Sequence, residues 1–483
     1  MMKFVRYLAL AGLLVPLASN AATTPTAPPL TTLPASVKKA LQANKLQDRA
    51  LSLALIPLQG QGRTTFVNAD VSVNPASAMK LVTTYAALEL LGPTHQWKTE
   101  FRGDGPLRDG TLHGNLYLKG GGDPKLNMEK LWLLLRDLRA SGVRTISGDL
   151  VLDRSHFVQP SLPVFDDDGG DRNKPFLVTP DSLLVNLKAV RFITHASGGH
   201  VSVMAEPPIE KIRIDSKVKV LPATKTCSGW PDVRYNPVTQ GDGVTVVVSG
   251  QLAEGCSSQI YLALLDHPDY AAGTVRALWK ELGGSILGAD RIGEAPKDAR
   301  LLARAMSPDL VEIIRDINKY SNNTMAQQLF LSIGAQHRDK VDGDDAKAAQ
   351  RVIRQWLARK DIIAPHLVVE NGSGLSRAER VSARELAAML QSAWESPYAA
   401  EFVASMPLVA MDGTMRRRLK NTAMVGQAHI KTGTLKNVRA IAGYSRDSNG
   451  KTWAVVAILN DPKPWGASAV LDQVLIDLHR HPR

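Results

Sequence analysis

Ser77 and Lys80 stand three residues apart in Ser-Ala-Met-Lys, a spacing that puts a hydroxyl and an amine on one side of a single helical turn. That is a nucleophile beside a base. A serine hydroxyl attacks only once a neighbour takes its proton, and an ordinary lysine, with a pKa of about 10.4, is almost wholly charged at neutral pH. Lowering the amine to about 7 asks for burial and a second cation close by. The same spacing recurs at Ser36/Lys39, Ser216/Lys219 and Ser448/Lys451, so spacing alone does not choose. Context does. Asn74 and Pro75 open a helix here, with Leu81, Val82, Tyr85, Leu88 and Leu91 at helical spacing before Gly92-Pro93 stops it. The first turn of a helix offers N–H groups and a positive dipole end to a developing oxyanion.

A lysine on a strand supplies the second cation. Lys431-Thr432-Gly433-Thr434 follows the apolar positions Ala428 and Ile430 and holds the chain's single Lys-Thr-Gly. Gly433 permits close approach of another backbone, the strand edge can pair with an extended peptide, and the ammonium and hydroxyls suit a carboxylate. Ser321-Asn322-Asn323 marks the break between a helix ending near Lys319 and the next. Such clusters commonly cap helices. The three groups matter in combination.

Positioning them falls to a chain that changes texture twice. A helix over 37–46, strands over 51–58 and 64–68, and the Ser77 helix open it. Residues 97–296 are strand-rich, with amphipathic helices at 126–141 and 270–282. Helices then return: one capped by Ser307-Pro308, then 324–333, 345–360 and 382–394, the last with a Ser382/Glu385 capping box. Strands at 427–432, 438–446 and 452–459 and a helix at 467–479 close the chain. Strands at both ends around a helical middle give an α/β (α+β) domain built from residues 22–92 and 297–483, with 93–296 inserted as two subdomains; long insertions cost little when their ends lie close together.

Ser-x-x-Lys, Ser-x-Asn and Lys-Thr-Gly in this order resemble the motif set of penicillin-binding proteins and serine β-lactamases. About 240 residues separate Ser77 from Ser321, more than a β-lactamase needs. The chain resembles a class C low-molecular-mass penicillin-binding protein, a D-alanyl-D-alanine carboxypeptidase/endopeptidase. Gly120-Gly121-Gly122-Asp123-Pro124, Gly148-Asp149, 371–377 and Asp412-Gly413-Thr414-Met415 with Arg418 extend the likeness over nearly the whole mature chain. The resemblance implies a serine β-lactamase/transpeptidase-like fold, an antiparallel sheet flanked by helices. It implies attack by Ser77 with Lys80 as base, a proton from Ser321 to the leaving amine, and Asn323 orienting Lys80 and the substrate amide. It places Lys431 and Thr432 on the carboxylate side, Gly433 beside them among the substrate-binding residues, and the N–H groups of Ser77 and Thr434 in the oxyanion hole. Arg377 would contact the stem peptide and Asp153 a peptide amine. Met411, where the family often has glycine, bears on the conformation of that loop alone. Peptidoglycan stem peptides are the implied substrate and β-lactams covalent inhibitors, with no metal or cofactor.

Residues 1–21 read as a signal peptide, with Lys3 and Arg6, an apolar stretch over 7–18 and a cut before Ala22; the other reading is an uncleaved anchor. Export points to the periplasm, and the Thr/Pro-rich stretch 22–35 to a flexible lead. In an oxidising compartment Cys227 and Cys256, the only cysteines, form a disulfide or remain two buried thiols. A net charge of +12 suits an acidic polymer, but no Arg/Lys block with interleaved aromatics appears, so nucleic acid is set aside. Membrane contact is at most peripheral. Asp166-Asp167-Asp168-Gly169-Gly170 lacks the alternation of a calcium loop, and Gly372-Ser373-Gly374 is no nucleophile elbow because Asn371 stands in place of the first glycine. A β-lactamase would release opened penicillin quickly and an inactive wall-binding scaffold would form no adduct; the insertion argues against the first and the intact motifs against the second.

Overall fold

The computed structural model describes residues 28–60, 62–161, 165, 173–223, 227 and 232–482. The signal-peptide reading and the Asp166–Gly170 run lie outside these residues. Five antiparallel strands form the central sheet in the order Ala428–Leu435, Val438–Arg446, Thr452–Asn460, Leu51–Pro57 and Thr65–Val67. First and last segments of the chain thus meet side by side, with Leu51 opposite Leu459 and Pro57 opposite Trp453.

Strand alternation explains the layers. Leu53 and Leu55 face one way, into a core shared with Val37 and Leu41 of the helix Ala35–Ala43 and Val470, Leu471 and Val474 of Ala467–Arg480. Ala54 and Ile56 face the other way, onto Leu81, Tyr85, Leu329 and Leu386 of three helices. Those helices, Lys80–Leu90, Asn323–His337 and Ala383–Glu395, carry or brace the reactive groups. A sheet buried on both faces gives a rigid edge strand, and that edge is Ala428–Leu435, which holds Lys431.

The described residues of 98–306 contribute four further sheets. One of five strands contains Lys98–Gly103 and Leu150–Asp153, a second of three centres on Val190–Ser197, and a third of three on Gly243–Ala253. Phe101, Leu150, Val190 and Val246 belong to one buried apolar cluster. Arg300–Met306 pairs antiparallel with Lys98–Gly103. The strand therefore belongs with the inserted sheets, and the return to the helical part falls near Ser307, not at 297.

Two local expectations change. Asp309, not Ser307, caps the helix Leu310–Tyr320, because the Ser307 hydroxyl already accepts from the Trp97 amide. Leu30, in the expected flexible lead, forms a bridge to Thr65, donating to Thr64 O and accepting from Phe66 N, both at 2.8 Å. The Ser382/Glu385 capping box is present. Cys227 and Cys256 form a disulfide with Cα atoms 5.7 Å apart. No helix among the described residues is long and apolar enough to cross a membrane.

Candidate active site

Ser77 lies on a tight 3-10 turn, Ala76–Met79, that runs into the α-helix Lys80–Leu90. An α-helix from Pro75 was expected. The turn is tighter because Ala76 takes a left-handed φ of +47°, a conformation that costs a non-glycine residue and persists only where its surroundings enforce it. Asn74 supplies the enforcement. Its Oδ1 accepts from Ala76 N at 2.8 Å and its Nδ2 donates to Ser376 O at 2.9 Å. Gly374 packs so closely that a Cβ there would stand 2.0 Å from Ala76 O.

One turn on, the fully buried Lys80 donates from Nζ to Ser77 Oγ at 2.9 Å, to Asn323 Oδ1 at 2.7 Å and to the carbonyl of Ser373. Burial lowers its pKa to about 7, against the pull of the Glu379 carboxylate, which favours the charged amine. A lysine titrating near neutrality can take the Ser77 proton. Glu379 is itself fully buried and pushed up to about 7 by desolvation. Its Oε1 accepts from the amides of Glu370, Asn371 and Gly372 at 3.3, 3.1 and 2.9 Å, which folds the loop that presents Ser373 O to Lys80.

Across the cleft, Lys431 Nζ donates to Ser321 Oγ at 2.8 Å and to Thr432 O at 2.6 Å. Burial and the Lys80 charge hold its pKa well below the ordinary lysine value. Two amines share one buried space. Ser321, like Ala76, is left-handed, with φ 57°. Asn322 caps the following helix by accepting from Met325 N at 3.0 Å, so in this triplet one residue does the structural work while its neighbours face the cleft. Asn323 Nδ2 donates to Phe176 O at 3.2 Å, which ties the inserted region to the site. The Lys-Thr-Gly segment is part of its strand: a Cβ on Gly433 would come 2.7 Å from Pro75 O, so the strand lies against the Ser77 turn. Thr432 Oγ1 bonds Thr414 Oγ1 at 2.8 Å, and Thr434 is exposed at the strand edge. The Met411 loop is held by Asp412, which accepts from Leu408 N at 2.7 Å and Lys319 Nζ at 2.5 Å.

Arg377 is exposed, donates to Asn437 Oδ1 at 2.8 Å and stands 5.7 Å from the centroid of the Phe165 ring. Asp153 is placed differently from its expected role. It is fully buried, and its carboxylate accepts from Lys119 at 3.1 Å, Ala295 N at 3.0 Å, and Ser155 N and Oγ at 3.0 and 2.6 Å. Those donors leave no open face for a peptide amine. The sequence does not disclose the parts played by Glu379 and the Ser373 carbonyl. A buried main-chain acceptor leaves no mark on residue type, and a lone Glu beside Arg377 and Arg380 reads as surface charge.

A serine hydroxyl bridged to a buried lysine, beside a second buried lysine on a sheet edge that is hydrogen-bonded to a serine at a helix end, defines a serine acyl-transfer enzyme. Residues 33–475 match the D-Ala-D-Ala carboxypeptidase 3 (S13) family, and the chain belongs to it. It is 30% identical over 401 residues to a D-alanyl-D-alanine carboxypeptidase of Actinomadura sp. (strain R39), covering 78% of this chain and 71% of the relative. It is 25% identical over 406 residues to D-alanyl-D-alanine carboxypeptidase DacB of Haemophilus influenzae, 81% of each. Among solved structures, penicillin binding protein 4 (dacB) of Haemophilus influenzae superposes with a TM-score of 0.75 at 22% identity, covering 92% of this chain and 99% of that one. That protein has also been solved with a bound β-lactam. The expected fold is the observed one, and the chain is a serine-type hydrolase of the D-Ala-D-Ala carboxypeptidase class.

Proposed function

We propose that the protein is a periplasmic DD-peptidase that cleaves D-Ala-D-Ala stem peptides, D-Ala-meso-diaminopimelate cross-links, or both, through an acyl-enzyme on Ser77. One observation carries this reading: Lys80 Nζ joins Ser77 Oγ to Asn323 Oδ1, at 2.9 and 2.7 Å. Neutral Lys80 takes the Ser77 proton as Oγ attacks the carbonyl, and the N–H groups of Ser77 and Thr434 receive the oxyanion. Ser321, hydrogen-bonded to Lys431, hands a proton to the departing amine. Water then hydrolyses the acyl-enzyme by the reverse relay. Lys431, Thr432 and Gly433 bind the carboxylate side, Arg377 at the rim meets the stem peptide, and no metal or cofactor takes part. The catalytic domain comprises two chain segments flanking the inserted sheets.

Incubation with a labelled penicillin yields a long-lived adduct, found by peptide mass mapping on Ser77, and a pentapeptide releases D-Ala. Fast release of opened drug, or no adduct, sinks the reading. Digestion of cross-linked muropeptides, read by mass, apportions carboxypeptidase and endopeptidase activity.

A further inference from the structure

The cleft extends well past the reactive serine. A cavity of about 930 Å³ opens at Ser321 and Asn323 and continues into the inserted region. Four aromatic side chains line it, Trp132, Phe176, Tyr261 and Tyr320. Phe176, Tyr261 and Tyr320 are 50%, 49% and 69% exposed. Aromatic faces gathered in one concave wall and left open to solvent mark a binding surface.

A second observation concerns how that wall is built. Asn186, Leu187 and Lys188 form a left-handed turn with φ of 47°, 51° and 51°, and Asn186 and Leu187 line the cavity. Three consecutive non-glycine residues in this region cost roughly 1–3 kcal/mol each. The turn is pinned from several sides. Asn186 N donates to Leu126 O at 2.7 Å, Asn186 Nδ2 to Ala189 O at 2.9 Å, and Lys188 Nζ to Leu265 O at 2.8 Å. The wall is therefore preorganised, which lowers the entropy lost on binding.

The polar lining selects the occupant. Glu129, Glu206 and Glu281 line the cavity with Arg191, which pairs with Glu206, and Arg136 and Lys174 stand over the Trp132 and Phe176 rings. The side-chain nitrogens of Asn127 and Asn322, also in the lining, donate no hydrogen bond among the described residues and suit hydroxyl or acetamido oxygens.

We propose that this cavity binds uncharged amino-sugar rings of the glycan strand that carries the stem peptide, stacking their C–H faces on Trp132 and Tyr261. The proposal rests on the function given above. D-Ala release is compared for a free pentapeptide and for the same peptide attached to its disaccharide. The wild-type kcat/KM favours the glycan-bearing substrate about tenfold, or about 1.4 kcal/mol, and Tyr261→Ala brings the ratio to about one. Equal wild-type values, or a variant that slows both substrates in proportion, overturn the proposal. Calorimetric titration with a neutral N-acetylglucosamine tetramer reads the cavity independently of catalysis. Binding that Tyr261→Ala abolishes supports the proposal, and the absence of heat with the wild-type protein overturns it. Release of D-Ala from neither substrate defeats the functional reading alone, and the titration still decides the cavity.

Discussion

Lys80 accepts a proton only when neutral, so its pKa of about 7 gives the pH profile a sign. Acylation of Ser77 rises as pH increases through about 7 and levels off above it. Rates of labelled-penicillin acylation between about pH 5 and 9 test this, and a profile falling over that interval contradicts Lys80 as the base. Glu379 adds a second test at the same scale. Its carboxylate raises the Lys80 pKa, so Glu379→Gln, which keeps an acceptor oxygen for the three backbone donors, moves the midpoint to lower pH. A shift to higher pH counts against this electrostatic account. Lys80→Met removes the acceptor with little change of bulk, and acylation drops by about 10²–10⁴. Circular dichroism separates that loss from unfolding.

At the scale of elements, the site depends on how closely the 371–377 loop packs on the nucleophile turn. Gly374 has φ +80° and a Cβ there would stand 2.0 Å from Ala76 O; Gly60, at φ +67°, meets only the far end of Lys451 at 3.7 Å. Both positions strain an alanine, by about 1 kcal/mol where space is free. Gly60→Ala therefore melts slightly early and keeps its acylation rate. Gly374→Ala displaces the Ser77 turn and loses most acylation, as stopped-flow labelling will show. Equal effects refute this packing argument. The same contrast shows what the residues alone disclose. Helical periodicity discloses the Lys80–Leu90 helix, the chemistry of three short motifs singles out Ser77, Ser321 and Lys431 as candidates, and of the two readings of the cysteines the structure shows the disulfide. Backbone shape was not legible: Ala76 and Ser321 are left-handed, and the close approach of Gly374 to Ala76 O brings in a segment far off in sequence. Pairing partners were not legible either. Arg300–Met306 reads as the start of the helical part until its bonds to Lys98–Gly103 are seen, and Asp153 reads as a free turn carboxylate until Lys119, Ser155 and Ala295 close around it.

Across the whole molecule, the central sheet is buried between two apolar clusters, while the inserted sheets share a third. Separate cores can unfold separately, so a single melting temperature does not describe this chain. The Cys227–Cys256 disulfide belongs to the insertion, where Cys256 packs with Ala196 and Leu252. Closing a loop with a sequence separation of 29 residues stabilises by about 3–4 kcal/mol. Replacing both cysteines with serine therefore lowers the transition of the inserted sheets, measured by calorimetry, and leaves the other transition in place. The link between the parts sits at the helix that starts with Asn323: Gln328 exchanges hydrogen bonds with the backbone of Asp181 at 3.0 and 2.5 Å, and Thr324 Oγ1 donates to Val178 O at 3.0 Å. Below the lowered transition, penicillin acylation of the double variant matches the wild type. Above it, with the inserted sheets melted, Asn323 loses its tether to Phe176 and acylation slows before the central sheet unfolds. If acylation instead persists until the second transition, the insertion holds no part of the reactive geometry and serves substrate capture alone.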